Sequence, residues 1–241
     1  MVHLLEAEPP GSSVSLAVLG CSQGAEVYSI TWTLRSARPD LKLTIHAVDI
    51  SPAVLEFAER GVYSLEPRDA PNGAARRFPD QDVPIVARMT AAEIEAMFEV
   101  HDGTLTVRPW LKEGITWYLA DAGRPDLLTM LGLHDVVVAN RFLCHMDPAA
   151  AERCLRNLAR IVKPGGYLFV SGVDLDVRTG VAREMEWEPV TSLLREMHEG
   201  DPSLRRDWPL QYWGLEPLAH HRRDWTLRYA SAFRIGEATH A

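Results

Sequence analysis

An unbroken apolar run, Leu16-Ala17-Val18-Leu19, leads into Gly20 and a short polar loop, and a helical pattern begins where that loop ends. Val27, Ile30, Thr31, Leu34 and Ala37 recur at three- and four-residue spacing, which predicts a strand over 15–20 and a helix from Gly24 to about Arg38. Pro39-Asp40 stops the helix, and Leu43–Val48 forms a second strand closing on Asp49. Ser51-Pro52 then supplies an N-cap followed by proline at the first helical position, and Gly61 ends that helix after Arg60.

Periodicity lapses over 62–90, where proline and charge dominate. Thr90 and Glu93 have the spacing of a capping box that opens a short helix to Phe98, and 104–107 and 115–119 alternate as strands. Val136–Ala139 is apolar throughout, as in a strand buried on both faces of a parallel sheet. Asp147-Pro148 caps a helix to about Val162, and Lys163-Pro164-Gly165-Gly166 turns the chain into a strand over Tyr167–Val173. An amphipathic helix is expected over 183–198 and a last strand over Leu227–Ile235. This alternation predicts an α/β fold, a Rossmann-like doubly wound and mostly parallel sheet. Residues 1–14, polar and carrying Pro9-Pro10-Gly11, read as a flexible arm; 15–241 form one domain with a small inserted subdomain at about 62–112.

Composition narrows the function. With 46% hydrophobic residues in 241, the chain has material for one sizeable core. A net charge of −8 argues against nucleic acid or an anionic membrane as partner. Cys21, Cys144 and Cys154 are too few and too scattered for a disulfide framework, and no His/Asp cluster has metal-ligand spacing. Without a signal-like or membrane-spanning apolar segment, a cytoplasmic protein is expected.

The chemistry concentrates at the first strand and its neighbour. Gly20 and Gly24 bracket a turn, with Cys21 and Ser22 inside it, where a ligand can approach backbone without meeting Cβ atoms. Asp49, ending the next strand, is placed to accept hydrogen bonds from two ribose hydroxyls. An adenosine-containing cofactor follows. The absence of glycine at 22 disfavours the Gly-x-Gly-x-x-Gly pattern of nicotinamide enzymes, although a glycine turn before a helix also occurs in plain α/β packing.

Residues Gly20 to Ile30 resemble the first motif of the chemotaxis-receptor glutamate methyltransferases, the CheR family. Ala47 to Ser51 with Leu55, Ala58 and Gly61-Val62-Tyr63 resemble its second, and Phe98–Asp121, Asp135–Asp147 and Lys163–Phe169 are similar to its later segments. The resemblance covers roughly 15–173. It implies a class I methyltransferase fold using S-adenosylmethionine (SAM) and releasing S-adenosylhomocysteine. It further implies that the Gly20–Gly24 backbone packs on the methionine portion and Glu26 receives its amino group. Asp49 would hold the ribose, Ile50 flank the adenine, Asp121 and Ala122 stand beside it, and Ala139 and Asn140 close the pocket.

Three departures bear on the acceptor. The family's N-terminal helical domain has no counterpart in the fifteen or so residues ahead of the first strand. Its Arg-Asn pair is reversed as Asn140-Arg141, and its tyrosine is replaced by His145. His145 is a candidate general base and Arg141 a candidate clamp for a substrate carboxylate, with packing and a surface ion pair as the respective alternatives. The expected activity is O-methylation of a carboxylate or hydroxyl on a small molecule or modified peptide, and a homodimer is allowed. Methylation of protein glutamates is the nearest alternative. A module that binds SAM without turnover is the alternative of another class.

Overall fold

Val136–Val138 and the facing Leu16–Val18 carry apolar side chains on both faces, so the free energy of burial places them mid-sheet with helices on either side. The computed structural model describes residues 1–64, 86, 89–200 and 216–236. In chain order the elements are β1 (Ser13–Leu19), α1 (Ala25–Ala37), β2 (Lys42–Asp49), α2 (Pro52–Arg60), β3 (Val62–Ser64), α3 (Ala91–Met97), β4 (Phe98–His101) and β5 (Thr104–Val107). There follow α4 (Pro109–Lys112), β6 (Ile115–Leu119), α5 (Leu127–Leu131), β7 (His134–Asn140), α6 (Pro148–Arg160) and β8 (Val162–Ser171). The chain continues through α7 (Leu175–Glu184), β9 (Glu188–Pro189), α8 (Leu194–Glu199), α9 (Trp225–Tyr229) and β10 (Ala232–Arg234).

Seven strands form one sheet in the order β6-β2-β1-β7-β8-β10-β9. The first five run parallel, and β10 is antiparallel to both its neighbours. The chain winds outward from β1 through β2 to β6, then crosses to β7 on the other side of β1. The carboxyl ends of β1 and β7 therefore flank the crevice where the winding direction reverses, the usual ligand position in such sheets. The expected α/β, mostly parallel architecture is the one observed.

The segment at 62–112 builds its own antiparallel sheet, β3-β5-β4, over a small core of Tyr63, Met97, Phe98, Leu105, Val107 and Leu111. The Thr90–Glu93 capping box is present, with Glu93 Oε2 accepting from Thr90 N at 2.7 Å and Thr90 Oγ1 accepting from Glu93 N at 3.2 Å. Much of the proline-rich stretch lies outside the described residues.

Four local expectations are corrected. Residues Val2–Leu5, read as part of a loose arm, form a 3-10 turn; Leu5 is buried and its carbonyl accepts from Arg38 Nη1 at 2.6 Å. Lys163–Gly166 is not a turn ahead of a strand but an irregular stretch inside β8, where Gly165 N and Gly166 O both pair with Ile235. The helix expected over 183–198 is divided. Glu186 is left-handed at φ 52°, Trp187 packs on Phe233 with ring centroids 5.4 Å apart, and Glu188–Pro189 joins the sheet edge, where a missing amide hydrogen is tolerated. Finally, 227–235 is mostly the end of α9 followed by the short β10. Arg228 is anchored there by Glu216 and Asp176, at 2.7 and 2.6 Å.

Candidate active site

The crevice is assembled from the carboxyl ends of β1, β2, β6, β7 and β8. Gly20 follows β1 directly at φ +64°, and a Cβ there would lie 2.7 Å from the Phe142 ring, so only glycine fits. The loop is held by Cys21 N donating to Val48 O and Gly24 N donating to Cys21 O, each at 3.0 Å. Gly24 is the left-handed N-cap of α1, which places Glu26 in the helix's first turn.

A cavity of about 590 Å³ opens between this loop and the ends of β7 and β8. Its wall combines Gly20 to Gln23, Ala25 and Glu26 with Asn140, Arg141 and Ser171. Glu26 Oε1 accepts from Asn140 Nδ2 at 2.6 Å, and Asn140 Oδ1 accepts from Ser171 Oγ at 2.9 Å. Burial raises the pKa of the Glu26 carboxyl, opposed by the Asn140 hydrogen bond and the positive charge of Arg141. Burial, with Asp49 and Glu26 nearby, pushes the Cys21 thiol up to about 12, so it stays protonated.

Asp49 spans the space between this loop and the start of α2. Its Oδ2 accepts from Ser22 N at 2.8 Å and its Oδ1 from Ser51 N at 3.0 Å. Each oxygen keeps acceptor capacity for a further donor. Beyond it, a second cavity of about 250 Å³ is lined by Ile50, Leu119, Ala120, Asp121, Leu127 and Met130, among others. Ile50 is 69% and Leu119 57% exposed, large apolar surfaces offered to a flat partner.

The structure thus brings Gly20, Cys21, Ser22, Glu26, Asn140 and Arg141 into one wall, with Gly24 buried just behind them and Asp49 alongside. Ile50 and Asp121 lie on the second cavity; Ala122 is buried behind Asp121, and Ala139 is fully buried within β7. His145 stands apart. It ends a 3-10 turn over Leu143–His145, is exposed, and is not part of either lining. Ser171, Leu119 and Met130 are additions that pattern reading passed over. Ser171 had one signal, a hydroxyl at the end of an apolar run.

A family model of the CheR methyltransferase SAM-binding domain matches residues 2–177. The chain belongs to the CheR methyltransferase family. Its cofactor is S-adenosylmethionine. An uncharacterised 104.1 kDa protein of Rhodobacter capsulatus is 26% identical over 82% of this chain and 20% of its own length. Chemotaxis protein methyltransferase 2 of Vibrio cholerae is 22% identical over 67% of this chain and 51% of its own. The chain thus spans between a fifth and about half of the length of these curated relatives. Among solved structures, the magnesium protoporphyrin IX methyltransferase of Synechocystis with bound SAM is 16% identical, with a TM-score of 0.43, covering 78% of this chain and 66% of that one.

The CheR-family residues suit this cofactor chemically. A half-buried acid would suit an ammonium group, a pinned carboxylate two hydroxyls, and a slot walled in part by Ile50, Leu119 and Met130 a planar base. Among the described residues, no helix is long and apolar enough to cross a membrane, and no three His, Cys, Asp or Glu side chains form a group that would hold a metal ion.

Proposed function

We propose that this chain methylates a carboxylate oxygen of a peptide or small molecule, using S-adenosylmethionine. The observation that carries the reading is Arg141, which lines the cavity beside Glu26 in a strained backbone conformation. Its φ is +58°, a region that costs a non-glycine residue about 1 kcal/mol or more and persists where the surroundings impose it. Here they do. Arg141 N donates to Ser171 O at 3.0 Å, and a Cβ on Gly172 would sit 2.7 Å from Arg141 Cα.

In this reading, Glu26 holds the amino group of the cofactor, Asp49 its ribose hydroxyls, and Ile50 with Leu119 the faces of its adenine. When bound, the sulfonium supplies an electrophilic methyl group and departs as the neutral thioether S-adenosylhomocysteine. The planar guanidinium of Arg141 suits two-point capture of a carboxylate. A carboxylate is already ionised at neutral pH, so alignment and exclusion of water suffice and no base is required. That agrees with His145 standing outside the cavity wall.

The test is methyl-labelled SAM supplied with glutamate-containing peptides and small carboxylic acids. Carboxyl methyl esters release volatile labelled methanol in alkali, whereas ethers and methylamines do not. Alkali-stable label would replace the carboxylate with another acceptor. No transfer, with intact binding of S-adenosylhomocysteine, would make the chain a binding module.

A further inference from the structure

We propose that Ser171 and Asn140 act together as positioning residues for the Glu26 carboxylate, fixing how this chain grips the amino-acid end of its cofactor. The inference rests on the reading above that Glu26 receives the cofactor's ammonium group. Asn140 and Ser171 are register partners at the last step of the β7–β8 ladder, so their spacing is set by the sheet rather than by a loop. Both line the cavity with Glu26.

The two ends of an asparagine amide differ, one accepting and the other donating. The Ser171 hydroxyl donates to Asn140 Oδ1 at 2.9 Å, while Nδ2 donates to Glu26 Oε1 at 2.6 Å. Rotated by half a turn, the amide would set its oxygen against a carboxylate oxygen. The acceptor-only carboxylate thus selects the orientation, and Ser171 holds the amide in it by giving Oδ1 a donor.

Two consequences follow for Glu26. Its Oε1 is occupied by Asn140, so Oε2 is presented to the ammonium group. The Asn140 amide that meets Oε1 is neutral, so that contact leaves the carboxylate's net charge to the cofactor. Without the Ser171 hydroxyl, Oδ1 loses its donor, the amide turns more freely, and the carboxylate loses its fixed direction.

The experiment compares two ligands by titration calorimetry on each protein. S-adenosylhomocysteine carries the amino-acid end; 5′-methylthioadenosine shares the nucleoside and thioether but lacks it. Ser171→Ala is expected to weaken S-adenosylhomocysteine about tenfold while leaving methylthioadenosine within about twofold, and Ser171→Thr to restore most of the loss. Glu26→Gln checks the underlying reading and should also penalise only the first ligand. If Glu26→Gln does so and Ser171→Ala does not, the positioning role is overturned. Equal weakening of both ligands by Ser171→Ala overturns it too, because the hydroxyl would then support the cavity generally. If Glu26→Gln spares both ligands, the assignment of Glu26 itself fails. Comparing two ligands on one preparation keeps the outcome independent of any loss of folded protein.

Discussion

Asp49 Oδ2 accepts the backbone amide of Ser22 at 2.8 Å, which joins the end of β2 to the glycine loop after β1. One carboxylate thus shapes the loop and, in the proposed reading, also holds the nucleoside. Asp49→Ala is expected to weaken S-adenosylhomocysteine by about 1–3 kcal/mol. Asp49→Asn, which keeps one acceptor oxygen, should fall between. Calorimetric affinities that match the unaltered protein for both variants would remove Asp49 from the binding site.

Cofactor binding should depend on pH through Glu26. Burial raises its pKa above the usual glutamate value, and the facing groups are Asn140, the cation of Arg141 and the neutral Cys21 thiol. The ammonium group selects the ionised carboxylate, so affinity should rise as pH climbs through the raised pKa, and binding should release a proton. Titrations in buffers of different ionisation enthalpy measure that release. Zero release near the midpoint, or an affinity that falls with rising pH, would contradict it.

Stability has a separate pH signature at His134. It is 1% exposed, its Nε2 lies 2.9 Å from His46 Nδ1, and its pKa is pushed down to about 4, mainly by burial and then by His46. The folded pKa lies below the unfolded value of 6.5, so the unfolded chain binds more protons between the two. Stability from this group is complete above pH 6.5 and drains away as pH falls toward 4. About 2 kcal/mol should be lost between pH 7.5 and 5, as read from urea midpoints. His134→Gln should flatten that slope; an unchanged slope would assign the loss elsewhere.

Arg141 and His145 separate acceptor chemistries. Arg141→Lys keeps the charge but loses the planar fork, so kcat/KM toward a carboxylate acceptor should drop by about tenfold or more, with S-adenosylhomocysteine affinity little changed. His145→Phe should leave turnover on a carboxylate within about twofold. A tenfold loss in the second variant, with cofactor binding intact, would mark a protonated acceptor that needs a base.

The first half of the fold was legible because its signals are local. The N-cap of α2 at Ser51 and its stop at Gly61 stand where pattern placed them, since cap chemistry is written within four residues. The later misreadings share a different cause. Pro189 enters the sheet because β10 pairs with it, and α9 is held by Arg228 reaching Asp176, 52 residues away. Such partners cannot be inferred from spacing. The same limit governs the site. Glycines and Asp49 announce themselves, whereas Ser171 gains its meaning only from lying opposite Asn140.

Tyr63, on β3 of the small sheet, donates its hydroxyl to the carbonyl of Gln23 in the glycine loop at 2.7 Å. Its ring is nearly perpendicular to Phe98 on β4, with centroids 6.1 Å apart. Thermodynamic reciprocity follows from such a tie: whatever tightens the loop around the cofactor biases the small sheet, and an occupant of the small sheet biases the loop by the same factor. The two sheets then report on each other without a shared cavity. Tyr63→Phe cuts the tie while keeping the packed ring, and hydrogen exchange of β4 and β5 with and without S-adenosylhomocysteine reads the difference. Protection transmitted in the unaltered protein and lost in the variant would make this one hydroxyl the messenger.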